Sequence, residues 1–237
     1  MRVLITRPRP NAVALAQELE ARGHEVMIEP LLTIVPLADV VPALDGVQAI
    51  LLTSANAVPA LRGTNPRLPV FVVGEATARA AREHRCEEVH VAAGDAGSLA
   101  HLIVARCRPG EGTLLHLSGA EVRRGLAEPL EAAGFAVRRE VVYRAVAASS
   151  LSTQAIAAIG TQTLDAVLLF SPRTASVLVS LLAGHGLCGC LGRTEAVCLS
   201  EAVAEPCRGL RWKAVRIAAR PEVESLLGQL EGGGRRC

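Results

Sequence analysis

Residues Ala49–Val58 read AILLTSANAV. The run Ala49–Thr53 is short, apolar and ends at a hydroxyl residue, as a strand buried on both faces does. Ser54 is of the type that caps a helix, and the spacing predicts a helix over Ala55–Leu61. The pattern returns at Ala166–Ala175, AVLLFSPRTA, with Ser171 as cap and Pro172 where a first helical residue belongs. A strand that turns straight into a helix leaves backbone N–H groups at the sheet's carboxyl edge, where anions bind.

Toward the amino terminus, Arg2–Thr6 reads as a strand and Asn11 as the cap of a helix that closes at Gly23. His24–Pro30 follows as a second strand, and Leu31–Pro36 extends beyond it. The turn-like stretch Asp39–Gly46 then leads into the opening strand. On the other side lie Val70–Val73, a turn at Gly74, a helix over Glu75–Glu83, a strand at Glu88–Ala92 and a helix capped by Ser98. Thr113–Leu117 is a strand that turns at Ser118-Gly119. A helix follows over Arg123–Ala133, then a long strand over Ala136–Arg144. After Ser149-Ser150 come a helix (Thr153–Ile159), the second copy of the opening pattern, and a helix over Pro172–Leu182. A strand (Ala196–Leu199), a helix (Glu201–Cys207), a strand (Ala214–Ala218) and a helix (Glu222–Leu230) complete the series. The tail Gly232–Cys237 has nothing to pack and is expected to be flexible. Strands alternating with helices mean parallel sheets covered on both faces.

The two halves echo one another. Val3–Pro36 and Leu114–Ala147 share the order strand, helix, long strand, and VGEATA at Val73–Ala78 is echoed by LSEAVA at Leu199–Ala204. The expected architecture is α/β: two similar doubly wound parallel-sheet domains, flavodoxin- or Rossmann-like, joined by a two-stranded β-ladder, with the active-site cleft between them. Residues 1–35 plus 146–237 form the first domain and 36–140 the second, with linker strands near 31–36 and 140–145. Such a linker permits hinge motion.

Bulk properties narrow the function. Half of the 237 residues are apolar and aromatics are scarce, so the core is Leu, Val, Ile and Ala. Of 25 basic residues Lys213 is the one lysine, which reads as a base-composition bias. The net charge of +2 and the lack of a basic block exclude nucleic acid as a partner. Seven scattered cysteines fit reduced thiols in the cytoplasm. No leader is expected ahead of the strand at Arg2. The most apolar stretch, Thr174–Gly192, is broken by Gly184, His185, Gly186 and Gly189, so no membrane span is expected.

Parallel sheets bind ligands where strands give way to helices. The corners here are Thr6-Arg7-Pro8, Ser54-Ala55-Asn56, Gly74-Glu75-Ala76-Thr77, Ser118-Gly119, Ser171-Pro172-Arg173 and Ser200-Glu201-Ala202. Each reads as simple capping or as a binding corner; their repetition weighs toward binding. Prolines stand where a dinucleotide fold needs glycines, and no Walker sequence or G-x-S-x-G elbow occurs. His185, Cys188 and Cys190 lack a fourth ligand and the zinc spacing, so no metal is expected. Tyr143, the one tyrosine, reads equally as an amphipathic linker residue or as a phenol that donates a proton. Trp212 reads as packing.

The chain also carries an ordered set of short motifs: TRP at Thr6–Pro8, LTSANAV at Leu52–Val58, VGEATA at Val73–Ala78, LHLSG at Leu115–Gly119, VVYRA at Val141–Ala145, FSPRTA at Phe170–Ala175, LSEAVA at Leu199–Ala204 and AARPEVESLL at Ala218–Leu227. In this order the chain resembles the uroporphyrinogen-III synthase family. The resemblance implies two α/β domains joined by a β-ladder. It implies a linear tetrapyrrole substrate, hydroxymethylbilane, that loses its terminal hydroxyl as water, inverts its last ring through a spiro intermediate and closes. It implies no cofactor and fits transient contact with the preceding enzyme of the pathway, while the charge pattern suggests a monomer. Tyr143 matches the tyrosine that assists departure of the hydroxyl, and Thr77 matches a hydroxyl of the amino-side corner. Thr6, Arg7, Pro8, Ser54, Ala55, Asn56, Gly74, Glu75, Ala76, Ser118, Gly119, Ser171, Pro172, Arg173, Ser200 and Ala202 would hold the substrate's carboxylates. The chain departs from the pattern at the second corner, where Ser200 replaces Gly and Val203 stands where some members have Thr. The alternative is a non-catalytic two-domain protein of the same fold that binds anions or tetrapyrroles. A nucleotide-binding protein is disfavoured by the missing glycines.

Overall fold

The computed structural model describes residues 1–231 except 38–40, 63, 65–66 and 122–124, with the side chain of Pro10 also outside the description. The elements run β1 (Arg2–Ile5), α1 (Arg9–Ala21), β2 (Glu25–Ile28), β3 (Leu32–Pro36), β4 (Val47–Leu52), a 3-10 helix (Ala55–Leu61), β5 (Val70–Val73), α2 (Glu75–Glu83), β6 (Val89–Ala92), α3 (Ala96–Arg106), β7 (Thr113–Gly119), α4 (Ala127–Ala132) and β8 (Ala136–Ala147). They continue α5 (Thr153–Gly160), β9 (Ala166–Leu169), α6 (Pro172–Gly184), β10 (Glu195–Cys198), α7 (Glu201–Ala204), a second 3-10 helix (Glu205–Gly209), β11 (Ala214–Ile217) and α8 (Val223–Glu231). The chain divides into two units, Met1–Thr33 with Val146–Cys237, and Ile34–Ala145.

The first unit holds a sheet in the order β11-β10-β9-β1-β2, with every described pair parallel. The chain steps outward from β1 to β2, then from β9 through β10 to β11, so its direction reverses between β1 and β9. One apolar cluster lies on each sheet face: Val3, Ile5, Ala166 and Leu168 on one, Leu4, Val167, Leu169 and Ala196 on the other. This is the period of two expected of a sheet covered by helices on both faces. Trp212 packs against the second cluster and its indole N–H donates to the Cys207 carbonyl at 3.1 Å.

The middle unit holds the order β3-β8-β7-β4-β5-β6. Its chain steps from β4 out to β5 and β6, then from β7 to β8 on the other side, so the reversal lies between β4 and β7. Beyond β3 this is the topology of the first unit with its segments permuted: β7 stands for β1, β8 for β2, β4 for β9, β5 for β10 and β6 for β11. The internal repeat is thereby visible as strand order. Ala49, Ile50, Leu51 and Leu52 of β4 are wholly buried, so truncating Leu51 to Ala would cost about 2–5 kcal/mol.

The structure corrects several local expectations. The helix expected over Ala55–Leu61 is present with those bounds and is of the 3-10 kind: Ala57 N–H bonds the Ser54 carbonyl, and Pro59 inside it has no N–H for the α pattern. Pro8, not Asn11, stands at the cap of α1, because the helix already begins at Arg9. Asp95, not Ser98, caps α3, and Ser98 closes the capping box from its third position. Ser118-Gly119 is no turn into a helix: β7 runs through both, and α4 starts at Ala127. The first part of the helix expected over Arg123–Ala133 lies outside the described residues. Glu201–Cys207 divides into α7 and a 3-10 helix, again at a proline, Pro206. β3 and β8 are neighbours, with bonds from Leu37 to Val142 and from Ala148 to Leu31 in antiparallel sense. The parallel pairing of β8 with β7 ends at Tyr143, so beyond it β8 has β3 alone as its neighbour, as a two-stranded ladder does. Residues 39–40 of the turn-like stretch and the tail 232–237 lie outside the described residues. Among the described residues no helix is long and apolar enough to cross a membrane.

Candidate active site

In the middle unit the carboxyl ends of β4 and β7 meet at the reversal point, where doubly wound sheets leave a crevice. A pocket of about 420 Å³ opens there. Tyr143 on β8 is the register partner of Gly119 on β7. A Cβ placed on Gly119 would lie 2.8 Å from both Cε2 and Cζ of Tyr143. Only glycine lets the phenol lie flat on the strand end, and that fixes where its hydroxyl stands. The strand end is clamped as well. Arg139 Nε donates to Ser118 Oγ at 2.9 Å, and its Nη2 donates to the carbonyls of Gly119 and Ala120 at 2.8 and 2.9 Å. Ala120 N–H in turn donates to the Tyr143 carbonyl at 2.9 Å. Among the described residues no hydrogen bond engages the Tyr143 hydroxyl.

His116 forms the inner wall. It is 3% exposed, and its Nε2 lies 3.3 Å from Thr53 Oγ1. Burial, with the Arg139 guanidinium nearby, pushes its pKa down to about 4, so the ring is neutral near pH 7. At the mouth stand Asp95 and Glu121. The N–H and hydroxyl of Ser98 hold the Asp95 carboxyl below the usual carboxylate range, so it is charged near neutrality. Among the described residues no Arg or Lys lines this pocket.

Of the residues singled out from sequence, Ser54, Gly119 and Tyr143 meet at this pocket. Ser118 lies buried beneath it as the acceptor for Arg139. Asn56 lines a separate pocket of about 400 Å³ beside Val142. The N–H groups behind Ser54 are partly used: Asn56 N–H bonds Ser54 Oγ and Ala57 N–H bonds the Ser54 carbonyl. Gly74 sits at φ +73°, a turn that an L side chain would strain, and opens α2. Glu75 and Ala76 are exposed there, and the Glu75 carboxylate pairs with Arg82 at 2.6 Å. Thr77 is buried on the inner face of α2 and does not line the pocket.

In the first unit, buried Thr6 donates from Oγ1 to the Leu168 carbonyl at 2.7 Å across the reversal point. Arg7 lies over Phe170, with Cζ 4.6 Å from the ring centroid. Pro8 caps α1 without a side-chain bond. Ser171 caps α6 by accepting from Thr174 N–H at 3.1 Å, Ala175 N–H bonds its carbonyl, and Pro172 has no N–H. Arg173 is half-buried beside Ala147 and Ser176. Ser200 stands at the head of α7 without a side-chain cap bond, with Ala202 exposed behind it.

Sequence reasoning gave no role to Thr53, Asp95, Glu121 or Arg139, and His116 entered it only within the LHLSG motif. One signal was available for His116. Aligning AILLTS with AVLLFS sets it opposite Leu51 as Ile5 is set opposite Leu168, so a histidine occupies a core position of the repeat.

The family model described as Uroporphyrinogen-III synthase HemD matches residues 13–228. No curated protein sequence matches the chain. Among solved structures, a uroporphyrinogen-III synthetase from Helicobacter pylori is 16% identical at a TM-score of 0.64, over 98% of this chain and 99% of that one. A mutant uroporphyrinogen III synthase from Thermus thermophilus is 20% identical at a TM-score of 0.52, over 98% of this chain and 97% of that one. At such identities the structures speak for the fold, and the doubly wound α/β architecture is the one they share. The family match spans most of the chain, from α1 to α8. The chain therefore belongs to the uroporphyrinogen-III synthase family, the cyclising lyases that convert hydroxymethylbilane to uroporphyrinogen III.

Proposed function

We propose that this chain closes hydroxymethylbilane with inversion of the terminal ring through a spiro intermediate, and that Tyr143 gives a proton to the departing hydroxyl. The observation that carries this reading is the phenol laid on Gly119 at the pocket of the middle unit, its hydroxyl unengaged among the described residues. Loss of the hydroxyl leaves an azafulvene that cyclises unaided without inversion. The protein's task is then to hold the reacting ring in one geometry, and a rigid, clamped strand end suits that task. The corners at Thr6–Pro8, Ser54–Asn56, Gly74–Ala76, Ser118–Gly119, Ser171–Arg173 and Ser200–Ala202 serve the carboxylates, with Thr77 acting through the Gly74 corner. Arg7 and Arg173 add positive charge. The N–H groups of Glu75 and Ala76, at the head of α2, support this reading best.

The domain division goes with it: 1–35 and 146–237 as one domain, 36–140 as the other. The contact units support that division. The enzyme works in the cytoplasm as a monomer and takes its unstable substrate by transient contact with the enzyme that makes it. The test is to supply freshly made hydroxymethylbilane and separate the oxidised products by isomer. Type III product is expected; type I alone, as in an enzyme-free control, would sink the reading.

A further inference from the structure

His116 occupies a place that the fold does not require to be polar. Its counterpart in the repeat, Ile5, is a wholly buried core residue. Burying an imidazole where an isoleucine packs costs free energy unless both ring nitrogens find partners. Nε2 has Thr53 Oγ1 at 3.3 Å. Nδ1 has no partner among the described residues, yet the ring lines the pocket that also holds Tyr143. The pocket's other polar groups decide what that nitrogen faces. Asp95 is ionised on the same wall, and the Arg139 guanidinium stands near enough to lower the imidazole's pKa. An imidazole nitrogen that carries a lone pair accepts from an N–H donor, and the Asp95 carboxylate favours positive charge nearby.

We infer that His116 is a further catalytic residue: with Nε2–H donated to Thr53, its Nδ1 accepts the N–H of the pyrrole ring that loses its hydroxyl. The inference rests on the reaction reading above and specifies which part of the substrate the pocket takes. In the step concerned, the C–O bond of the hydroxymethyl group breaks and its electron pair leaves with oxygen. That oxygen takes the Tyr143 proton and departs as water. The ring nitrogen's lone pair forms the new double bond, so positive charge appears on the ring N–H. An acceptor at that N–H bonds more strongly in the transition state than in the ground state, and such an interaction raises kcat rather than binding. The lowered pKa of His116 keeps the acceptor available at neutral pH.

The test uses the full chain with hydroxymethylbilane and three substitutions. Asn places a hydrogen-bonding atom near the Nδ1 position, Gln near Nε2, and Leu at neither. His116→Leu and His116→Gln should each lower kcat by about tenfold with KM changed less than about twofold, the loss of one transition-state hydrogen bond. His116→Asn should recover most of the rate. Leu and Gln variants as fast as the wild type would overturn the inference, as would equal losses in all three, which would mean packing alone. Should the Leu variant fail to fold, Thr53→Val, which frees the ring to turn, should lower kcat by about threefold or more; an unchanged rate would overturn it. Wild-type protein that gives type I product alone fails at the reaction itself, whereas wild-type type III formation with undiminished variants fails only at His116.

Discussion

The reversal points of the two sheets share one backbone plan and differ in what fills it. In the first unit, Ile5 faces Leu168 in register, Thr6 spends its hydroxyl on the Leu168 carbonyl, and Phe170 lies under Arg7. These groups find their partners within the unit, so the position is closed. In the middle unit His116 takes the place of Ile5 and Thr53 that of Phe170, and a glycine lets Tyr143 lie on the strand end. There the Tyr143 hydroxyl and one imidazole nitrogen have no partner among the described residues. The contrast teaches that duplication supplied the strand plan twice, while side-chain chemistry left polar groups without partners, among the described residues, at one copy.

Removing the chemistry from the open copy should have the largest effect. Tyr143→Phe should lower kcat by roughly 10²–10⁴, the range of acid catalysis, with a smaller change in KM. Steady-state rates on hydroxymethylbilane decide this, and an unchanged kcat removes Tyr143 from the mechanism. Next comes acid stability, where the two copies should part. The folded-state pKa of His116 is about 4 against an ordinary 6.5. Between those values the unfolded chain binds the extra proton, so stability falls as pH drops from about 6.5 toward about 4 and changes no further below. The loss should amount to up to roughly 3 kcal/mol. Urea unfolding across that window should show a shallower pH dependence in His116→Leu; an identical dependence would place the titration elsewhere.

Filling the seat of the phenol tests the geometry. Gly119→Ala should cost about 1–3 kcal/mol through the clash with the Tyr143 ring. It should also slow turnover at full substrate, and a melting temperature equal to that of the wild type would show that the ring yields. In the closed copy the side chains are spent on internal partners, so their loss should act mainly on stability. Thr6→Val removes one buried donor and should cost about 1 kcal/mol in urea unfolding. Phe170→Leu removes the face under Arg7 and should cost about 0.5–1 kcal/mol beyond its lost burial. A loss of turnover in either, at unchanged stability, would break the contrast and show that these side chains, beyond the backbone N–H groups of their corners, act on the ligand.

How much of this was legible beforehand varies by residue. The strand at Ala49–Leu52 and its echo at Ala166–Leu169 were, because a parallel strand buried on both faces must be continuously apolar. Ser171 as a cap was, because Pro172 marks the first helical position. Ser118-Gly119 was misread as a turn into a helix, since a small residue after a strand signals a turn and, equally, a close approach. Which of the two holds depends on Tyr143, a partner 24 residues along the chain and one strand over. Thr77 drew notice for its hydroxyl, but helical phase turns that hydroxyl toward the interior of the unit. Asp95 and Glu121 carried no signal, because charged residues in loops are ordinarily only solvated.

The sequence by itself determined the α/β class, the duplicated module and the family, since these depend on hydrophobic period and on motif order along the chain. The tertiary structure decided which corners keep N–H groups available, that Gly119 seats Tyr143, and that His116, Thr53 and Asp95 share one pocket. The physical reason is that strand order is set by long-range pairing. β7 lies beside β4 although about 60 residues separate them, and only that adjacency turns a buried histidine into the wall of a pocket.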